Sequence, residues 1–240
     1  MRYVFILILT TLSCTSSAQR AFLDLSAGAH YSFRTLTLPD QPGRLHPTDS
    51  EEQSEIAGLA GVHYSRRLGE RYGLRTGLRL TVLGYRTKVS GLRWGEQHDG
   101  SGGFDPTLDP SDPLGTDGFT RRTDRILLEV PLLWQQTFGS RTWEPYLEAG
   151  LLPGAYLTTR TRVEDGTQVD VYYFDEAQDA VRRFQLSAAL SLGVARPLSE
   201  RHDVFVQVNG RYQITALAKG PIKERLFAVG IELGVRRGIQ

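Results

Sequence analysis

Alternation of apolar and polar residues with a period of two runs through most of this chain and constrains its fold more than any other feature. In residues 22–34, for example, Leu23 and Leu25 alternate with Asp24 and Ser26. Successive side chains of a β-strand point to opposite faces, so the pattern predicts a strand with one apolar face. Seven further stretches repeat it, beginning near Ile56, Leu74, Ile126, Leu147, Phe184, Val204 and Phe227. The sequence therefore predicts an all-β fold of eight strands.

The connections between these strands alternate between long and short. The long ones are residues 35–53, 88–121 and 160–182, the short ones are 65–71, 139–142 and 196–202, and a short outer loop, 216–223, completes the series. Outer-membrane barrels have an even number of antiparallel strands, short periplasmic turns and longer outer loops. We therefore predict an eight-stranded antiparallel transmembrane up-and-down β-barrel in the bacterial outer membrane.

One segment leaves the strand count open. Residues 163–167 carry a hairpin signal, and Val169 to Phe174 could form a ninth strand. An odd number would place the two chain ends on opposite sides of the membrane, unlike the even-numbered barrels. We therefore interpret Tyr156 to Phe174 as a hairpin that projects beyond the membrane.

The polar face of the predicted strands carries charges of both signs. An eight-stranded barrel is only wide enough for side chains to fill, and unpaired buried charge costs several kcal/mol per ion. Antiparallel pairing across residues 88–121 places Arg79 roughly opposite Glu129. We therefore predict a lumen charge network formed by Arg75, Arg79, Glu129, Glu148, Arg211 and Glu232. The alternative is a soluble lipocalin-like periplasmic carrier, whose apolar face would line a cavity.

Composition excludes several other classes of protein. The chain has 240 residues and a net charge of +1, which fits one ordinary domain without the basic excess expected of a nucleic-acid-binding protein. Beyond residue 20, no stretch reaches the roughly 20 apolar residues of a transmembrane helix. Nearly all positive charge is arginine, since Lys88, Lys219 and Lys223 are the three lysines. Guanidinium groups suit fixed ion pairs.

The first 18 residues read as a secretory signal peptide, with Arg2, an apolar segment and small residues at 16–18. The outer-membrane barrel domain then comprises residues 19–240. We predict that the mature protein begins at Gln19 and lacks Cys14, the single cysteine. The intact mass of the mature protein checks this expectation. An acylated Cys14 would instead show that the protein is a lipoprotein.

Candidate chemistry in the sequence is sparse. His30, Ser32, Glu55, His63 and Ser65 on the first two strands are the residue types of a hydrolase, but their positions place all five in the lumen. A rim-active enzyme that modifies lipid A would need them on the outer wall, so we predict no enzyme. The acidic residues of 88–121 lack EF-hand spacing, and His98 and His202 lack partners at metal spacing. We predict no cofactor and no metal site.

A motif in residues 127–157 resembles the PorT-like outer-membrane β-barrel family. That family carries a Leu-Glu-Ile-Pro-Leu-Leu strand, a short turn and a strand with Pro-Tyr and Ala-Gly. The matching residues are Leu128, Glu129, Val130, Pro131, Leu132 and Leu133, followed by Pro145, Tyr146, Ala149 and Gly150. The chain departs from the family in ending without an aromatic residue. The resemblance implies an outer-membrane protein, and for PorT itself a link to protein secretion.

The functional prediction follows from the filled lumen, which would make a poor diffusion pore. Loops on a rigid scaffold commonly carry binding functions. We therefore expect a monomeric barrel in contact with outer-membrane lipid, acting as a structural or partner-binding protein. The unknown protein partner would bind through residues 35–53, 88–121 and 160–182.

Overall fold

The computed structural model describes residues 21–38, 41–44, 50–89, 119–139, 142–165, 168–174, 181–219 and 223–239. These residues form eleven antiparallel strands. They are β1 (Ala21–Leu38), β2 (Gln41–Arg44), β3 (Ser50–Arg67), β4 (Tyr72–Val89), β5 (Phe119–Glu129), β6 (Leu132–Thr137), β7 (Glu144–Asp165), β8 (Gln168–Phe174), β9 (Phe184–Pro197), β10 (His202–Gln213) and β11 (Lys223–Ile239). The predicted signal peptide, with Cys14, lies outside the described residues.

The strands close into a ring of eight positions. The order around it is β1, β3, β4, then β5 and β6 in one position, followed by β7, β9, β10 and β11. The ring is closed by β11, which pairs with β1 from Ala21↔Ile239 to Thr37↔Lys223. The start of β1 and the end of β11 therefore both lie at the end of the barrel that carries the short turns. The predicted eight-stranded barrel is confirmed.

A proline divides one of the eight positions into two strands. The sequence pattern predicted a single strand from Ile126 to Trp134, but the ladder is interrupted between Glu129 and Leu132. Pro131 has no backbone N–H to donate to the neighbouring strand. The Val130 N–H remains bonded to the Pro153 carbonyl oxygen at 2.8 Å, which keeps the strand against β7.

The ambiguous hairpin does not add a ninth position. Among the described residues β8 pairs with β7 alone, from Thr159↔Phe174 to Asp165↔Gln168. Closer to the short turns, β7 pairs with β9, from Glu144↔Ala195 to Ala155↔Phe184. The β7–β8 hairpin therefore projects beyond the ring, as the parity of the strand count predicted.

Several strands extend further into the long connections than their hydrophobic patterns indicated. The strand β1 ends at Leu38 and β3 begins at Ser50, so most of the predicted loop 35–53 is strand or lies outside the described residues. Likewise β4 continues to Val89 and β5 begins at Phe119. The polar residues at these ends hid the alternation, because both faces of a strand beyond the membrane meet polar surroundings.

The apolar face of the barrel points outward. Exposed apolar residues on every position of the ring form a continuous band, including Leu25, Ile56, Leu78, Leu132, Leu151, Leu192, Val208 and Ile231. Buried polar and charged residues such as Asp24, His63, Glu129 and Glu232 face inward in the same strands. Lipid requires this distribution, whereas a lipocalin-like carrier requires the reverse, so the fold is a transmembrane β-barrel. Within the described ranges, no helix is long and apolar enough to cross a membrane.

Aromatic pairs lie near both ends of the apolar band. Phe33 and Phe227 stack with ring centroids 4.8 Å apart at the outer end. Tyr72 and Trp134 lie 5.4 Å apart at the end of the short turns. Aromatic girdles of this kind mark the two membrane interfaces of an outer-membrane barrel.

The closed ring predicts heat-dependent mobility on gels. A closed barrel satisfies its backbone hydrogen bonds internally, so it resists detergent at room temperature. We expect the purified protein to migrate faster in unheated than in boiled samples. A monomer that remains in solution without detergent would contradict the outward orientation of the apolar face.

Candidate functional site

Glu129 is the centre of an upper charge layer in the lumen. Arg79 lies directly across from it on β4, with Nη2 at 3.0 Å from Glu129 Oε2. Arg211 reaches it from β10, with Nη2 at 2.7 Å from Glu129 Oε1. The Thr81 hydroxyl also donates a hydrogen bond to Glu129 Oε2 at 2.7 Å. One buried carboxylate therefore holds two guanidinium groups from opposite sides of the barrel.

Arg75 is the centre of a lower layer, closer to the short turns. Its side chain is 1% exposed, and its three guanidinium nitrogens each face a carboxylate. These are Asp24 at 3.2 Å from Nε, Glu148 at 3.2 Å from Nη1 and Glu232 at 3.4 Å from Nη2. The three carboxylates come from β1, β7 and β11, so this arginine ties together widely separated parts of the wall.

A second arginine and an aromatic ring complete the lower layer. Arg236 lies 3.3 Å from Asp24, and the guanidinium groups of Arg75 and Arg236 lie 5.1 and 5.3 Å from the centre of the Phe205 ring. A cation that lies above the face of an aromatic ring is attracted by the ring's electrons. Gly234 makes room for this ring, because a Cβ there would lie 2.3 Å from it.

The structure brings all six residues of the predicted lumen charge network into these two layers. It also adds Asp24 and Arg236, which were not among the predicted residues. Charges within the two layers then balance, with Arg75, Arg79, Arg211 and Arg236 against Asp24, Glu129, Glu148 and Glu232. Both added residues continue the polar alternation and are paired in register across β1 and β11. Aligning β1 with β11 in the sequence would have identified Asp24 and Arg236 as a pair.

The space between the two layers is small. A cavity of about 10 Å³ lies beside His30, His63, Arg79 and Asn209. A water molecule needs roughly this much room. The lumen at this level is therefore filled by side chains.

An apolar cap closes the lumen above the charge layers. It consists of Leu83, Tyr85, Leu127, Tyr156, Val181, Leu217, Leu226 and Ala228, all buried. Val181 and Leu217 come from segments outside the ring, which meet through the Val181↔Ala218 bridge. The alternation pattern did not indicate the cap, because its inward apolar residues lie at positions assigned to the polar face. Leu83, Leu127 and Leu226 carry the signal, since each breaks the alternation.

The candidate hydrolase residues do not form a catalytic arrangement. Ser32 donates to the Gly84 carbonyl oxygen and His30 Nε2 lies 2.7 Å from the Val82 carbonyl oxygen. Ser65 donates to Asp24 at 2.6 Å. These side chains are buried inside the barrel, as is His63, which lies beside Ser26.

The prediction that Glu55 also faces the lumen was wrong. A bulge between β3 and β4 shifts the register at this point, and the Glu55 carboxylate contacts Arg86 and Arg122 of the outer face. His202 is exposed beside Ser199, and His98 lies outside the described residues. Across the described ranges, no group of three or more His, Cys, Asp or Glu could hold a metal ion.

The PorT-like motif occupies adjacent strands of the barrel. Leu128 and Glu129 end β5, Val130 and Pro131 form the interruption, and Leu132 and Leu133 begin β6. On β7, Ala149 and Gly150 lie directly opposite Trp134 and Leu133, while Pro145 and Tyr146 lie nearer the short turn. The Tyr146 hydroxyl donates to Gln207 Oε1 at 3.0 Å in the lower lumen. The motif thus shapes one wall of the lumen.

Solved structures with a similar overall arrangement are membrane barrels. Neisserial surface protein A is 14% identical, with a TM-score of 0.37, and the alignment covers 90% of this chain and 97% of that one. Outer membrane protein OprG from Pseudomonas aeruginosa is 12% identical, with a TM-score of 0.44 and coverages of 92% and 96%. Outer membrane protease OmpT from Escherichia coli is 8% identical, with a TM-score of 0.44 and coverages of 95% and 100%.

No protein-family model and no curated protein matches the sequence, so the resemblance to the PorT-like family stays a prediction. The ring closure, the outward apolar band and the charged lumen define the class. The fold is that of a bacterial outer-membrane β-barrel. Because the TM-scores lie below 0.5, no activity is transferred to this chain from the similar structures.

Proposed function

We propose that this protein is a non-conducting barrel that binds a protein partner at its outer end. The observation that carries the proposal is the closure of the lumen at successive levels, by two charge layers and an apolar cap. A filled lumen offers no path for solutes, which leaves the outer surface as the part that can act. Surface segments held on a rigid scaffold are common binding sites.

The β7–β8 hairpin supports the location of the binding surface. Its tip strand exposes Val169, Val171, Tyr172 and Tyr173, whose exposed fractions range from 44% to 66%. Aromatic residues are enriched at protein interfaces relative to other surface. The hairpin projects beyond the ring, so these side chains do not serve the lipid contact of the apolar band.

Two measurements test the proposal. In planar bilayers the purified barrel should show no sustained conductance steps, and open steps would contradict the closed lumen. On intact cells, surface crosslinking should capture a partner with the native protein. We expect a Tyr172→Ser/Tyr173→Ser variant to lose the crosslinked species.

The matched control changes exposed apolar residues at the opposite end, in the short turns. A Leu68→Ser/Leu198→Ser variant should retain the crosslinked species, because its changes lie on the periplasmic side. Equal capture by the native protein and both variants would contradict a role for the hairpin. Both variants must first show the heat-dependent gel mobility of a folded barrel.

The resemblance to the PorT-like family supports a finer hypothesis, that the partner belongs to a protein secretion apparatus. Cells that lack this protein should then release less of their secreted protein. The native chain should restore release and the Tyr172→Ser/Tyr173→Ser variant should not. Normal secretion by cells that lack this protein would contradict the secretion hypothesis but not the proposal that the barrel binds a partner.

A further inference from the structure

Three arginines lie side by side on the outer face of the barrel, across three adjacent strands. Arg86 of β4 is directly opposite Arg122 of β5, which is directly opposite Arg162 of β7. Adjacent strands are only about 4.8 Å apart, and like charges placed directly opposite each other destabilise a sheet. The row therefore needs negative charge from another source.

Among the described residues, carboxylates meet that need only in part. Glu55 lies 3.1 Å from Arg86 and 3.0 Å from Arg122, and its side chain is 9% exposed. Arg162 approaches Glu164 only to 4.0 Å. The side chains of Arg86 and Arg162 are each 43% exposed. The Glu55 carboxylate beneath the row thus holds Arg86 and Arg122 in position, while the outer side of the row remains exposed.

A fourth arginine, Arg160, extends the row toward the membrane. Asp124 lies 2.5 Å from Arg160 and 3.1 Å from Arg122, and it is buried beneath both. The hydrogen bonds that Arg160 donates to Asp124 raise the pKa of Arg160 above its ordinary value, so this group stays a cation. Within the part of the chain that the structure describes, these four guanidinium groups share two buried carboxylates and the exposed Glu164, which leaves an excess of positive charge there.

The height of the row matches that of lipid headgroups. Arg86 has the same outward parity as Leu78, Leu80 and Val82, and it follows Val82 by four residues on the same strand. With a rise of about 3.3 Å per residue and a strand tilt near 40°, it lies roughly 10 Å beyond the apolar band. The polar headgroup region begins at that edge of the hydrocarbon and is roughly 5–7 Å thick, so the row lies at its outer side, within reach of the long arginine side chains.

We propose that this arginine row, Arg86, Arg122, Arg160 and Arg162, binds phosphate groups of a lipid headgroup in the outer leaflet. Planar guanidinium groups bind phosphate through paired hydrogen bonds, and the buried carboxylates hold them in fixed positions. A phosphorylated lipid would supply the missing negative charge from the side on which the row is open. The proposal concerns the outer wall and does not depend on a protein partner at the hairpin.

The test measures binding of diphosphorylated lipid A to the purified barrel in neutral detergent by native mass spectrometry. An Arg86→Gln/Arg160→Gln/Arg162→Gln variant should bind it about tenfold more weakly or worse, because several charge-assisted hydrogen bonds are lost. Arg122 is kept, since it contacts both buried carboxylates. The matched control, Arg71→Gln/Arg201→Gln/Arg237→Gln, removes three exposed arginines at the opposite end and should stay within about twofold of the native protein.

The source of the phosphate and the fold of the variants are tested separately. Lipid A without phosphates should bind more weakly to the native protein, and inorganic phosphate at equal concentration should not displace lipid A. Arg162→Gln alone touches no buried carboxylate, so it should fold normally and still weaken binding measurably. Equal weakening in the two triple variants, tight binding of the dephosphorylated lipid, or displacement by free phosphate would each overturn the proposal.

Discussion

Replacing Glu129 by alanine should lower the free energy of unfolding by about 3–5 kcal/mol or more, because it leaves buried guanidinium groups without a counter-ion. Glu129 is 1% exposed and pairs with both Arg79 and Arg211. Urea titration of the barrel refolded in lipid vesicles measures the change.

The shared carboxylate determines which control is informative. From the sequence, Arg79 and Glu129 form a simple pair, so removing both would leave no orphan charge. The structure overturns this expectation, because Arg211 also lies 2.7 Å from Glu129. The double variant Arg79→Leu/Glu129→Leu should therefore remain destabilised, and adding Arg211→Leu should restore much of the stability. A triple variant no more stable than Glu129→Ala would show that the charges are not coupled.

Replacing Leu78 by arginine should cost roughly 2–4 kcal/mol in the same vesicle assay, because the charge would meet hydrocarbon near the middle of the apolar band. Leu78 is 57% exposed on the outer wall, so in a soluble barrel the same change would be well tolerated. The control is Leu198→Arg in a short turn, where the cost should fall to about 0–1 kcal/mol. Equal costs at the two positions would contradict the lipid-facing assignment of Leu78.

The parts of the fold that depend on alternation were predictable from the sequence. A strand with one face toward lipid and one toward a polar lumen shows a period of two, and this marked all eight positions. The hairpin of β7 and β8 followed from parity. The register between Arg79 and Glu129 could be estimated because both strands have a clear pattern on either side of one loop.

The remaining features depend on contacts that no single strand reveals. Arg211 reaches Glu129 across the lumen, so their contact is visible only after the ring has closed. The apolar cap requires Val181 and Leu217 to fold into the mouth from segments that carry no periodic pattern. The bulge that turns Glu55 toward Arg86 reflects one extra residue in β3 relative to β4, which changes the face without changing the composition.

Closure by β1 and β11 also has a consequence for the order of folding. The seventeen residue pairs between these strands join the two ends of the described chain, from Ala21↔Ile239 onward. Contacts of such long sequence separation form late and slow folding. The edge of β1 thus stays open until the last strand has been synthesised and exported, and an open strand edge invites aggregation. Because β1 is the first strand and pairs with the last, it waits longest for its second neighbour. We therefore expect the open edge of β1 to need a chaperone's protection for longer than any other strand edge of the barrel.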